Sequence, residues 1–156
     1  MPDHQQKRLP HLFSTAWHPI VFLTAVTHDR RPMLARDEAH EILRKIWLCS
    51  PAIDGWVVGR YVLMPDHVHL FARAACDAKP LAGWVQGWKS LSSRRLTAGE
   101  HFTAPLWQKD YFDRFLRSAE SYGEKWDYVA ANPVRGGLVR TPEEWRWQGV
   151  MEDLEF

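Results

Sequence analysis

The stretch "YVLMPDHVHLF", residues 61–71, decides how this chain is read. It joins two apolar, β-branched runs, "IDGWVVGRYVLMP" at residues 53–65 and "HVHLFARA" at 67–74. Between them "MPDH" carries the proline and aspartate of a tight turn. A connection that short makes the two strands an antiparallel hairpin. Residues two apart on a strand share a face, so His67 and His69 stand side by side while Val68 and Leu70 point the other way. Two imidazoles so placed can bind one divalent cation. They can also be two ordinary hydrogen-bonded histidines, the more common case for so short a motif, and both readings stand at this point.

N-terminal to this hairpin, "PIVFLTAVT" (residues 19–27) is a short β-branched segment closed by the polar "HDRRP", which predicts a strand. "ARDEAHEILRKIWLCS" follows, with Ala39, Ile42, Leu43, Ile46 and Trp47 at helical spacing. Asp37 and Glu38 fall in its first turn, where the helix dipole favours acids. A second long helix is predicted over "KPLAGWVQGWKSLSSRRLTAGE". Pro80 lies near its start, Leu81, Trp84, Val85, Trp88 and Leu91 form its stripe, and Gly99 lies past its end. Lys89 falls on the flank of that stripe and Arg94 opposite it, which predicts a cationic outer surface. A fourth strand is predicted near residues 111–117. A third helix, "SAESYGEKWDYVAAN", starts behind Ser118 as N-cap and ends at "NP", because the residue before proline is driven from the α region.

The order strand, helix, strand, strand, helix, strand, helix predicts an α+β fold of ferredoxin-like, split-βαβ type. Its four-stranded antiparallel sheet would carry helices packed on it. At 156 residues the chain has single-domain length, so residues 1–156 are read as one domain. Such a sheet hosts many activities and decides none of them.

Bulk composition narrows the setting. Two cysteines, Cys49 and Cys76, make neither a disulfide framework nor a metal-spaced pair, so a reduced cytoplasmic setting is expected. No apolar run nears the roughly 18 residues of a bilayer span, and "MPDHQQKRLPHLF" lacks the apolar core of a secretory signal. A membrane role is therefore not expected. A net charge of +1 neither demands nor forbids a polyanion, which would need clustered cations. Nine tryptophans are many for this length, and several are expected at the surface as stacking rings.

On the third helix Tyr122, Trp126 and Val129 make one stripe that should face the core. Tyr128 lies well off its centre and Asn132 stacks one turn above Tyr128. That puts a phenol at the rim of the core and an amide oxygen within a turn of it. Spacing alone also allows a packing tyrosine and a helix-ending asparagine.

"YVLMPDHVHLF", "WQKDYFDRFLRS" and "YVAANPVRGGLV", in this order and spacing, resemble the REP-associated tyrosine transposases, a branch of the single-tyrosine HUH transposases. "LAGWVQGWKS" and "PEEWRWQG" extend the resemblance over nearly the full length. Arg114 in "FDRF" stands where histidine is the more usual residue. The resemblance implies Tyr128 as nucleophile and His67, His69 and Asn132 as ligands of Mg²⁺ or Mn²⁺. It also implies single-stranded and hairpin DNA as partners. Lys89, Arg94, Arg95, Arg135 and Arg140 are the cations expected to contact that DNA. It implies a bacterial, nucleoid-associated protein and leaves both a monomer and a homodimer open. Two other readings fit the same residues: a catalytically silent, domesticated hairpin-binding regulator, and a metal-dependent hydrolase that uses an activated water.

Overall fold

The computed structural model describes residues 18–155. The predicted N-terminal features of residues 1–13 lie outside that range. The elements run β1 (Val21–Val26), α1 (Asp37–Ile53), β2 (Trp56–Leu63), β3 (His67–Ala74), α2 (Leu81–Thr97), β4 (Phe112–Phe115), α3 (Ala119–Ala130), the single turn α4 (Asn132–Arg135) and β5 (Gln148–Val150). The strands form one sheet in the order β4-β1-β3-β2-β5, antiparallel at every pairing. The first four positions are those of the predicted split-βαβ arrangement, and the class is α+β as expected.

The sheet has five strands and not four. β5 is three residues of "RWQGVM", too short to give an alternating signal, and it adds to the free edge of β2 by pairing Gln148 with Val62 and Val150 with Arg60. The exit at "NP" also differs from expectation. α3 ends at Ala130, but Asn132 opens the further helical turn α4 with Pro133 in its first positions, where a missing N–H costs nothing. Ser118 caps α3 as predicted, its Oγ accepting from the Ser121 N–H.

Alternation divides the sheet into two faces. Val21, Leu23, Ala25, Val58, Tyr61, Leu63, Val68, Leu70 and Ala72 point to one side, against Leu43, Ile46 and Trp47 of α1 and Trp84, Val85 and Trp88 of α2. This is the principal core, and each large apolar side chain fully buried there contributes about 1.5–3 kcal/mol. α1 runs past its predicted end and includes Pro51. Gly55 follows at φ +78°, where a Cβ would lie 2.7 Å from the Ala78 Cα, so both conformation and space call for glycine.

The tryptophans depart from expectation. Six of the eight described are buried: Trp47, Trp56, Trp84, Trp88, Trp107 and Trp145. Trp56 stacks on Trp84 at 5.0 Å and Trp88 meets Trp107 edge-on at 5.4 Å. Trp84 and Trp107 donate their indole N–H groups to the buried hydroxyls of Ser50 and Ser92. Trp56 and Trp145 donate to the carbonyls of Lys79 and Leu63. These rings build the core and offer little surface for stacking. No described helix is long and apolar enough to cross a membrane.

The other face carries Phe22, Thr24, His67, His69 and Phe71. α3 covers part of it, with Tyr122 and Trp126 packed on Phe71 at 4.9 and 6.2 Å and Val129 buried beside Val62 and Trp145. The predicted stripe of α3 therefore does face the sheet. It covers only one end of this face, and the histidines lie at its margin.

Candidate active site

His67 and His69 lie on one face of β3 with ring centroids 4.7 Å apart and planes at 76°. Each ring is held by its Nδ1. The His67 Nδ1–H donates to Asp66 Oδ1 at 2.7 Å, and Arg30 donates to the other carboxylate oxygen at 3.1 Å. Thr24, the cross-strand partner of His69, places its Oγ1 2.8 Å from His69 Nδ1. With that Nδ1–H donating to the hydroxyl, Nε2 keeps its lone pair. Among the described residues no hydrogen bond reaches either Nε2, so both stay available to a ligand.

The electrostatics favour neutral imidazole at His69. Burial, then the charges of His67, Lys125 and Arg135, push its pKa down to about 3. Phe22 stacks on the ring at 5.2 Å and accounts for part of that burial. Burial works against ionisation of Asp66, yet its hydrogen bond and charge contact with His67, joined by Arg30, hold its carboxyl below the usual carboxylate range. A neutral imidazole beside an imidazole backed by a carboxylate is the donor pattern of a metal-binding histidine pair.

Tyr128 projects from α3 and is 60% exposed, at the rim as its position predicted. Two cations flank its ring, the Arg135 guanidinium at 3.9 Å and the Lys125 ammonium at 5.6 Å from the centroid. Lys125 also lies 4.7 Å from the Phe22 centroid and so connects the tyrosine to the aromatic stacked on His69. Arg135 donates to the Tyr128 carbonyl at 2.6 Å and to Asn132 Oδ1. The amide oxygen expected to serve as third ligand thus accepts from a guanidinium one turn away.

Both imidazoles fit a divalent cation, as nitrogen donors with free lone pairs on one face. The Asn132 amide oxygen is a donor of suitable chemistry, and Arg135 donates to it here. No cluster of three or more His, Cys, Asp or Glu side chains is arranged for a metal among the described residues.

Among the remaining predicted residues, Arg135 touches Tyr128 and Asn132 and is exposed, and Arg140 is exposed beyond α4. Arg94 and Arg95 are exposed near the end of α2, in the layer across the sheet from the histidines. Lys89 corrects the expectation of a cationic outer surface. It is 8% exposed, and its Nζ donates to the carbonyls of Gln108, Lys109 and Asp110 at 2.6, 3.3 and 3.2 Å. All three of its protons are used in fixing the loop before β4, and burial lowers its pKa. Spacing put Lys89 on a flank that the loop then covers. Asp66, Thr24 and Lys125 were not singled out from the sequence. An acid directly before the histidine pair was the one signal that pointed to Asp66.

Residues 15–128 match the family described as "Transposase IS200 like", and the chain belongs to that family. The matched range holds both histidines and ends on Tyr128, with Asn132 beyond it. Within this class, the chain is similar to the REP-associated tyrosine transposase of Escherichia coli (strain K12), 22% identical over 140 residues that cover 85% of this chain and 77% of that protein. A solved structure described as "Structure of the REP associates tyrosine transposase bound to a REP hairpin" shares the fold. Its TM-score is 0.71 at 18% identity, covering 83% of this chain and 75% of that one.

Proposed function

We propose that this transposase-family chain nicks and rejoins single-stranded DNA beside REP-type hairpins through a covalent 5′-phosphotyrosine at Tyr128. One observation carries the reading. Two imidazoles, each anchored by Nδ1 and free at Nε2, share a sheet face with the helix that bears an exposed tyrosine. The similarity to REP-associated transposases supplies the substrate class.

In this reading Asp66 and Thr24 hold the two rings by their Nδ1 atoms, which leaves both Nε2 atoms to a ligand. His67, His69 and, after release by Arg135, Asn132 would hold Mg²⁺ or Mn²⁺. The ion would neutralise a nonbridging phosphate oxygen. The Tyr128 phenol gives up its proton to solvent, and its oxygen attacks phosphorus. The phosphorus–O3′ bond breaks, and the departing oxygen takes a proton to become a 3′-hydroxyl. Lys125 and Arg135, both close to the ring, favour the anionic nucleophile and the anionic backbone together. Another 3′-hydroxyl can reverse the step, since the phosphotyrosine conserves the diester bond.

The contact between Arg135 and Asn132 Oδ1 favours a second reading, a hairpin-binding protein without turnover, because it occupies the third donor. A labelled single-stranded oligonucleotide with a hairpin, incubated with Mn²⁺ and run on a denaturing gel, separates the two. The catalytic reading predicts a protein–DNA adduct that disappears in Tyr128→Phe while hairpin binding persists. A wild-type protein that binds the hairpin and forms no adduct would establish the silent reading instead.

A further inference from the structure

A cleft of about 460 Å³ opens between β4 and α3, lined by Arg114, Leu116, Arg117, Ser121, Lys125 and Tyr128 among others. It ends on the proposed nucleophile. Three lining residues are cations and one, Glu124, is an anion. None of the three cations lies in an ion pair among the described residues, whereas Arg30, Lys79 and Arg146 each face a carboxylate within 4.0 Å. Surface cations left without acidic partners around one concavity are the mark of an anionic ligand.

The strand register supplies an independent observation. Thr24 pairs with His69 on one side and with Phe112 on the other, and Phe22 pairs with both Phe71 and Arg114. Residues directly opposite in a sheet share a face. Phe112 and Arg114 therefore lie on the histidine face, one strand beyond Thr24. Phe112 is 72% exposed on an edge strand whose four residues are all exposed. A bare phenyl face beside unpaired arginines gives stacking and backbone charge together, the two elements of single-strand binding.

We propose that the β4–α3 cleft is the track of the unpaired DNA next to the bond Tyr128 attacks. Arg114, Arg117 and Lys125 hold its phosphates, and Phe112 stacks one of its bases. This inference rests on the nicking function proposed above and adds the side from which the strand arrives. The volume is that of a small-molecule site and is of a size to seat single nucleotide units. Stacking on Phe112 needs a base free of its partner.

The test compares two probes, a labelled oligothymidine of about ten nucleotides and a blunt duplex, against wild type, Arg114→Gln/Arg117→Gln and Phe112→Ala. All three substituted residues are exposed, and circular dichroism and melting check that the variants fold. For the double variant, oligothymidine affinity should fall about tenfold or more. The slope of log affinity against log salt should become shallower by about 1.4, two phosphates at about 0.7 each. Phe112→Ala should lose about fivefold or more with its salt slope unchanged. Duplex affinity should stay within about twofold in both variants. Unchanged oligothymidine binding, or equal losses on both probes, would overturn the proposal. Adduct formation by the wild type keeps that failure apart from the fate of the nicking function, which fails only when no adduct appears.

Discussion

The two faces of this sheet are built from neighbouring residues of the same strands, yet they do different work. On one, Val68 and Leu70 meet α1 and α2 in a closed layer, where the Trp84 indole N–H is paired inside with the Ser50 hydroxyl. On the other, His67 and His69 lie beside a single helix, and among the described residues both Nε2 atoms lack a hydrogen bond and Lys125 lacks an acidic partner. A one-residue alternation separates a face that gives stability from the face to which the proposed chemistry is assigned. Substitutions on the first should change the melting temperature, and those on the second should change activity.

The largest expected effect tests the open face. Tyr128→Phe should lower adduct formation at least about a thousandfold while leaving thermal unfolding unchanged, because the lost hydroxyl is at the surface. A matching loss of stability would erase the contrast between the faces. On the closed face, Trp84→Ala should cost about 3–5 kcal/mol in urea unfolding, since the ring is 1% exposed and stacked on Trp56. A cost below about 1 kcal/mol would mean that α2 is not docked as described.

Acid gives a subtler contrast, because His69 lets the open face affect stability. Its folded pKa is held down near 3, while the unfolded chain takes that proton at about 6.5. The unfolded state therefore binds more protons over this window, and stability falls as pH drops from about 6.5 toward 3. The slope should approach 1.4 kcal/mol per pH unit. His69→Gln should remove that contribution, and an identical acid slope in the variant would contradict the burial of the ring. The smallest effect concerns the carboxylate behind His67. Asp66→Ala should weaken Mn²⁺ binding by about 10–100-fold, measured by calorimetry, and unchanged affinity would leave Asp66 with only its pairing to Arg30.

What could be read from the sequence follows the same division. Periodicity located β1, the hairpin, both long helices and the stripe of α3, because burial on one side imposes a repeat. It missed β5, whose three residues pair with β2 only through contacts distant in sequence. It also misplaced Lys89, because helical spacing cannot foresee a loop whose three carbonyls fold over the ammonium. The histidine pair was visible as i and i+2. The groups that tune it, Thr24 across the ladder and Lys125 from α3, come into contact only when the sheet assembles. The tryptophans mislead when composition is read alone, since their number signals a large aromatic core here and not an exposed stacking surface.

The proposed chemistry turns on a covalent bond between DNA and one side chain. Peptide mass spectrometry of the protein after reaction with a hairpin oligonucleotide and Mn²⁺ looks for that bond itself. A nucleotide phosphate should appear on the peptide that contains Tyr128 and on no other. Cleaved DNA with free 5′-phosphate ends and an unmodified Tyr128 would refute the phosphotyrosine, and would assign the histidine pair to an activated water instead.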